Sequence, residues 1–318
     1  MSSEPDRQGF KSRTLRHTRI SLVASAMITL AAGTPCQALD YQPGDWVAFP
    51  VGTNILMGYA QFATHSKLDN TIAGAVPDSH LDNEVGIARF LHYTEILDHT
   101  VALQAIVPFG TLNNGKINGQ DLSDASGIAD PAIAAGIWFI NDPMRKTWFS
   151  AVNFVSLPIG SYDRNRALNL SNHRWQNDVQ VDFTQGFLDK FTIDLGADWM
   201  HAWDNGEAGT GHQTLRQDET FGTYVWLSYD VTSLLQRSII PSAVQASLSL
   251  GYAGIYGGAQ RLDGIRTGAE AGEQQLRITY SQFITPTWQG LISISHDVDA
   301  SGQFKQDVGV LLRVAKLF

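Results

Sequence analysis

Apolar and polar residues alternate along most of this chain with a period of two, the spacing of strands whose two faces meet different surroundings. The clearest stretch is 191–203, where Phe191, Ile193, Leu195, Ala197 and Trp199 share one face and Thr192, Asp194, Gly196 and Asp198 the other. Segment 221–231 keeps Phe221, Thr223, Val225, Leu227, Tyr229 and Val231 in phase, and 244–252 sets Val244, Ala246, Leu248, Leu250 and Tyr252 against Gln245, Ser247, Ser249 and Gly251. Near the end, Val308, Val310, Leu312 and Val314 oppose Gly309, Arg313 and Ala315. With weaker segments added, the pattern predicts about twelve strands, over 53–66, 81–94, 99–108, 128–140, 147–158, 174–187, 191–203, 217–231, 243–257, 273–284, 288–298 and 305–318. Phase is ambiguous in 81–94, where Arg89 shares parity with Val85, Ile87 and Leu91.

The connections sharpen the fold. Short turns at 95–98, 141–146, 188–190 and 285–287 alternate with polar, Gly-rich connections at 67–80, 109–127, 159–173, 204–216 and 258–272, and 232–242 fills a short-turn place at intermediate length. An up-and-down antiparallel barrel in an outer membrane predicts that alternation, with short turns and both termini on the periplasmic side. A soluble β-sandwich has no reason to sort its loops by length. No run after residue 38 approaches 18 apolar residues, so no helix is expected to cross a membrane. The expected fold is all-β, a transmembrane barrel over 53–318 in the outer membrane of a Gram-negative bacterium, with outer-membrane lipid and lipopolysaccharide as surroundings; the pattern sets no oligomeric state.

The N-terminus fits that destination. Lys11, Arg13, Arg16 and Arg19 precede an uncharged stretch from Ile20 to Gly33, too short for a span and suited to a signal peptide. Cys36-Gln37-Ala38 places small residues for cleavage after Ala38, so residues 1–38 are expected to be removed. The only cysteine goes with them, and Thr34-Pro35 before it does not make a lipoprotein signal. Removal takes five of 22 basic and two of 31 acidic residues, leaving 17 against 29 and a net charge of −12. That balance argues against nucleic acid as a partner and against a pore for phosphate.

The chain ends on Phe318 behind an alternating apolar series, which resembles the signal read by the barrel-assembly machinery, although Lys316 stands where an apolar residue is usual. Trp138, Trp148, Trp175, Trp199, Trp203, Trp226 and Trp288 lie in or near predicted strands and suggest an aromatic girdle at the membrane interfaces.

Catalytic motifs are missing. There is no HExxH, P-loop, GxSxG or GxGxxG, and no cysteine pair. Ser295-His296-Asp297 cannot form a triad, because neighbours on a strand point to opposite faces. His201, Asp204, Glu207 and His212 could form a surface metal site, but a solvated acidic loop is the plainer expectation, so neither metal nor cofactor is expected. Parity places Asp194, Asp198, Arg277 and Arg313 toward the lumen, where charged side chains belong by default.

One region carries a recognisable pattern. Gly127-Ile128-Ala129-Asp130-Pro131 opens a strand, and Leu157-Pro158-Ile159-Gly160-Ser161-Tyr162-Asp163 leads into a loop. Asn169-Leu170-Ser171-Asn172-His173-Arg174-Trp175 closes that loop, with Ser171 where Gly is frequent. Pro158 should end a strand because it cannot donate to the ladder, Gly160 should permit a turn, and Asp163 and Asn169 should cap it. With the segment from Tyr41-Gln42-Pro43-Gly44-Asp45 to Pro50-Val51-Gly52-Thr53, these motifs resemble the outer-membrane family named for the meta pathway of phenol degradation. The resemblance implies a twelve-stranded channel, an N-terminal segment partly filling the lumen, and uptake of small, largely hydrophobic or aromatic molecules. The loop motif (Asp130, Pro131, Pro158, Gly160, Tyr162, Asp163, Asn169, Arg174, Trp175) is either a folding device or a ligand contact.

Residues 39–52 point the same way. Tyr41, Trp46 and Phe49 sit between the cleavage site and the first strand, and Pro43, Gly44 and Pro50 keep the segment from becoming helix or strand. Three aromatics suit a plug in the lumen better than a wet tail; packing at the periplasmic rim is the alternative. A channel for small hydrophobic solutes is therefore the expected function. An unspecific porin and a lipase-like barrel enzyme remain open beside it.

Overall fold

The computed structural model describes residues 41–238 and 244–318; the expected signal peptide lies outside the described residues. Twelve long strands build the wall. They are β1 (Asn54–Asn70), β2 (His80–Ile96), β3 (His99–Ile117), β4 (Ala132–Asp142), β5 (Thr147–Ser156) and β6 (Gln176–Phe187). Then follow β7 (Phe191–Ala202), β8 (Thr220–Asp230), β9 (Gln245–Gly257), β10 (Ala271–Thr285), β11 (Trp288–Ser301) and β12 (Phe304–Leu317). Each pairs antiparallel with its neighbours in sequence, and β12 returns to β1, from Ile55↔Leu317 to Leu68↔Phe304. Closure leaves no unpaired edge for lipid to desolvate. A short helix, α1 (Thr232–Ser238), occupies the β8–β9 connection. Among the described residues no helix is long and apolar enough to cross a membrane.

Burial is inverted relative to a soluble protein. Leu195, Val225, Leu227, Leu250, Ile278, Leu312 and Val314 are exposed, while Asp194, Ser228, Ser249, Arg277 and Arg313 are buried inside. The period-two pattern is thus one apolar face toward lipid and one mixed face toward the lumen.

Three expectations need correction. β3 runs on to Ile117 rather than stopping at 108. Pro108 sits mid-strand because its carbonyl, and hence its missing N–H, faces the side where β4 is interrupted at 129–131, between its main run and the short outer piece Ala125–Ile128; there it accepts from the Ala129 N–H at 2.9 Å. The connections at 204–216 and 258–272 are not irregular: Asn205–Ala208, Gln213–Gln217, Gln260–Leu262 and Ile265–Arg266 form a four-stranded sheet over the long-loop end. The girdle keeps Trp175, Trp199, Trp203 and Trp288, which are exposed, but Trp138, Trp148 and Trp226 are buried within the barrel.

Candidate functional site

Those three tryptophans turn inward because something apolar fills the lumen. Residues 41–53 lie there, folded by their own turns: the Asp45 N–H donates to the Gln42 carbonyl at 3.1 Å, and the Gln42 N–H to the Asp45 carboxylate at 3.2 Å. Gly44, at φ +77°, takes a left-handed conformation that a side chain would strain. The Gly52 N–H reaches the Tyr93 carbonyl, which hands the chain over to β1.

Opposite walls hold this plug. Trp138 Nε1 on β4 donates to the Trp46 carbonyl at 2.8 Å. Arg313 Nη1 on β12 pairs with Asp45 Oδ1 at 2.5 Å, both side chains nearly inaccessible. From β10, Arg277 reaches the Tyr41 carbonyl at 3.5 Å and Thr279 the Gln42 amide oxygen at 3.4 Å. Rings complete the packing: Tyr41 stacks on Trp46 at 6.1 Å and touches Tyr224 at 5.5 Å, Trp46 meets Phe154 edge-on, and Phe49 meets Tyr93. On β2 the ambiguous parity resolves with Ile87, Arg89 and Leu91 all inside. Ile87 and Leu91 join the plug's apolar cluster, and Arg89 bonds Gln104 and Tyr59.

Beside the plug, at the short-turn end, is a cavity of about 450 Å³. Phe49, Leu91, Tyr93 and Trp148 line it together with Arg89, Asp194 and Arg313. Of the inward positions expected from parity, Asp194, Arg277 and Arg313 are deeply buried, and Asp198 accepts from the Tyr224 hydroxyl at 2.8 Å. Asp178 and Asp182 on β6 share that wall and escaped notice in the sequence, although Gln176, Asp178, Gln180, Asp182 and Thr184 alternate there with Val179, Val181 and Phe183.

The loop motif forms a separate unit at the long-loop end. Asp130 Oδ1 accepts from the Gly160 N–H at 3.1 Å and the Ser171 hydroxyl at 2.6 Å, and Oδ2 from the Asn172 N–H. Gly160 is required by crowding, not by an unusual φ: a Cβ there would lie 2.6 Å from the Ala129 carbonyl carbon. Pro131 carries the interruption in β4, and Pro158 follows the end of β5. Asn169 Oδ1 takes the Asp163 N–H at 2.7 Å, and Tyr162 stacks on His173 at 4.7 Å. Arg174 is buried and bonds Gln217, and burial lowers its guanidinium to about 10, so it stays charged at neutral pH. Trp175 is exposed. This unit is remote from the plug.

At the seam, Phe318 exchanges two backbone hydrogen bonds with Asn54, each 2.9 Å. The histidine group disperses: His212 and Arg164 share Glu207, Asp204 pairs with Arg216, and His201 with Glu219. Ser295 bonds Gln306 and Asp297 is buried, whereas His296 is exposed on the outer face, so the three stay apart.

The model of the family described as the MetA-pathway of phenol degradation matches residues 65–313. Among solved structures, the COG4313 outer membrane channel from Pseudomonas putida F1 is 26% identical, with a TM-score of 0.77 over 88% of this chain and all of that one. The transport unit of the autotransporter AIDA-I from Escherichia coli is 10% identical, with a TM-score of 0.49 over 93% of this chain and 98% of its own. So distant a likeness says nothing about solutes. No curated protein matches the chain.

Proposed function

We propose, from the premise that this chain belongs to the family described as the MetA-pathway of phenol degradation, that it admits small, largely apolar or aromatic molecules across the outer membrane. The chain is an outer-membrane β-barrel with a channel role, as its likeness to the Pseudomonas putida channel supports. The solute class rests on one observation: a plug bearing Tyr41, Trp46 and Phe49 fills the lumen and leaves beside it a cavity of about 450 Å³ walled partly by aromatic rings. Such a lining lowers the desolvation mismatch of an aromatic solute and raises that of a hydrated ion, so the pore conducts ions poorly. An unspecific porin would gain nothing from a segment tied to several strands. Deleting residues 41–50, with ion conductance and uptake of a labelled aromatic measured on the same preparation, tests the reading. Conductance rises and the preference for apolar solutes falls if the plug sets selectivity; unchanged conductance sinks the proposal.

A further inference from the structure

The lumen wall is lopsided in charge. Asp178 and Asp182 on β6 and Asp194 and Asp198 on β7 form a zigzag, because the register pairs Asp194 with Thr184, Gly196 with Asp182 and Asp198 with Gln180. Each carboxylate is therefore a diagonal neighbour of the next, a separation of about 7 Å between Cα atoms. The wall is shaped around them. A Cβ on Gly196 would lie 2.7 Å from Asp182 Oδ1, and one on Gly222 would lie 2.3 Å from Asp198 Oδ1.

Little in the protein answers this charge. Asp178 Oδ1 is buried without a hydrogen-bond partner among the described residues, Asp182 has only the neutral Tyr41 hydroxyl beside it, and Asp194 takes the Thr184 hydroxyl and the Gly44 backbone amide. The lumen arginines stand on other strands: Arg313 is paired with Asp45, Arg89 with Gln104 and Tyr59, and Arg277 with Gln275 and the Tyr41 carbonyl. Four carboxylates so close require a shared proton or an incoming cation. The aromatic side of the wall says which cation. Trp226 lies directly across from Asp194 and Tyr224 across from Gly196. The indole N–H of Trp226, almost fully buried, lacks a partner among the described residues, and the Tyr41 hydroxyl lies against Asp182. Among the described residues no three ligating groups converge as a metal shell would, so a coordinated metal does not fit. An ammonium group fits better: it donates to carboxylates and is attracted by ring faces.

We infer that this acidic, aromatic wall makes the channel selective for organic cations, so that among small aromatic solutes one bearing an ammonium passes in preference to one bearing a carboxylate. The inference rests on the channel reading and names the solute charge that reading leaves open. Purified full-length barrel in planar lipid bilayers gives the test. Reversal potentials under gradients of benzylammonium chloride and of potassium benzoate, each referenced to potassium chloride, yield the two permeabilities. The wild-type protein should pass benzylammonium roughly tenfold better than benzoate, the low end of what a single-sign, low-dielectric wall does to local ion concentration. The ratio should fall toward one in the D178N/D182N/D194N/D198N variant, with the heat-dependent gel shift reporting that it assembled. A wild-type ratio at or below one overturns the inference whether or not the variant folds, as does a ratio that the four substitutions leave unmoved. A barrel that inserts, passes neither organic ion and takes up no labelled aromatic in vesicles fails the channel reading instead.

Discussion

The ion pair between Asp45 and Arg313 is the strongest single tie between plug and wall, and its loss should open the pore. Both side chains are less than a tenth exposed and 2.5 Å apart, and Arg313 also reaches Gln289 at 3.3 Å and lies 5.8 Å from the Tyr59 ring. Removing one partner of a dry buried pair costs about 3–5 kcal/mol, mostly through the charge left behind. Here the adjoining cavity lets water reach the orphan, so about 2 kcal/mol is the working figure for either R313M or D45N. That free energy falls on the plugged state alone if the plug leaves, and shifts the plugged-to-open ratio by roughly thirtyfold. Single-channel recording should show longer and larger openings for each variant. The doubly substituted D45N/R313M barrel should be less perturbed than the sum of the two, since it leaves no uncompensated charge. Conductance histograms of the single variants that overlay on the wild type would refute the tether. Strict additivity would refute the pairing.

Two further substitutions probe the scaffold. Gly160→Ala drives a methyl against the Ala129–Asp130 backbone, with contacts of 2.6–2.8 Å. A strain of about 1–3 kcal/mol should speed proteolysis within 159–173 while the barrel stays intact, and an unchanged cleavage rate would argue that the loop simply gives way. Leu250→Arg puts a charge on the lipid face of β9 and should lower stability in lipid vesicles by about 2–4 kcal/mol if it lies near the midplane; an unmoved denaturation midpoint would contradict the assignment of faces.

Most of the barrel was legible because a strand with different surroundings on its two faces must alternate. Phe191–Trp199 and Val308–Val314 show this without help from any neighbour. Loop lengths then supplied topology, since only a barrel threaded through a membrane sorts short from long connections by end. Legibility failed where a local rule met a distant partner. Pro108 reads as a strand breaker, yet its fate depends on the interruption of β4 at 129–131, some twenty residues on. The small outer sheet was missed for a similar reason, as its pairs join Gln213–Gln217 to Gln260–Leu262 across the whole β8–β9 hairpin.

The plug explains the remaining difficulty, and it does so in a way that could have been read. Parity separates two faces but does not say which one meets lipid when both are apolar, as in β2, where Ile87 and Leu91 accompany Arg89. A water-filled lumen would demand polar residues on one face of every strand. Here β2, β4, β5 and β8 carry Tyr93, Trp138, Phe154 and Trp226 inward, whereas β9, β10 and β11 turn Ser249, Thr279 and Ser293 inward. Those inward aromatics belong to the apolar cluster that includes Tyr41 and Trp46, to which β9 and β11 contribute only Ala253 and Leu291. Tryptophans that are out of phase with the lipid face therefore mark where the lumen is filled. Asp45 and Arg313, 268 residues apart, offer no such local signal. Their pairing follows only once the aromatic contacts have fixed the plug's depth, so packing sets the position and the ion pair then holds it.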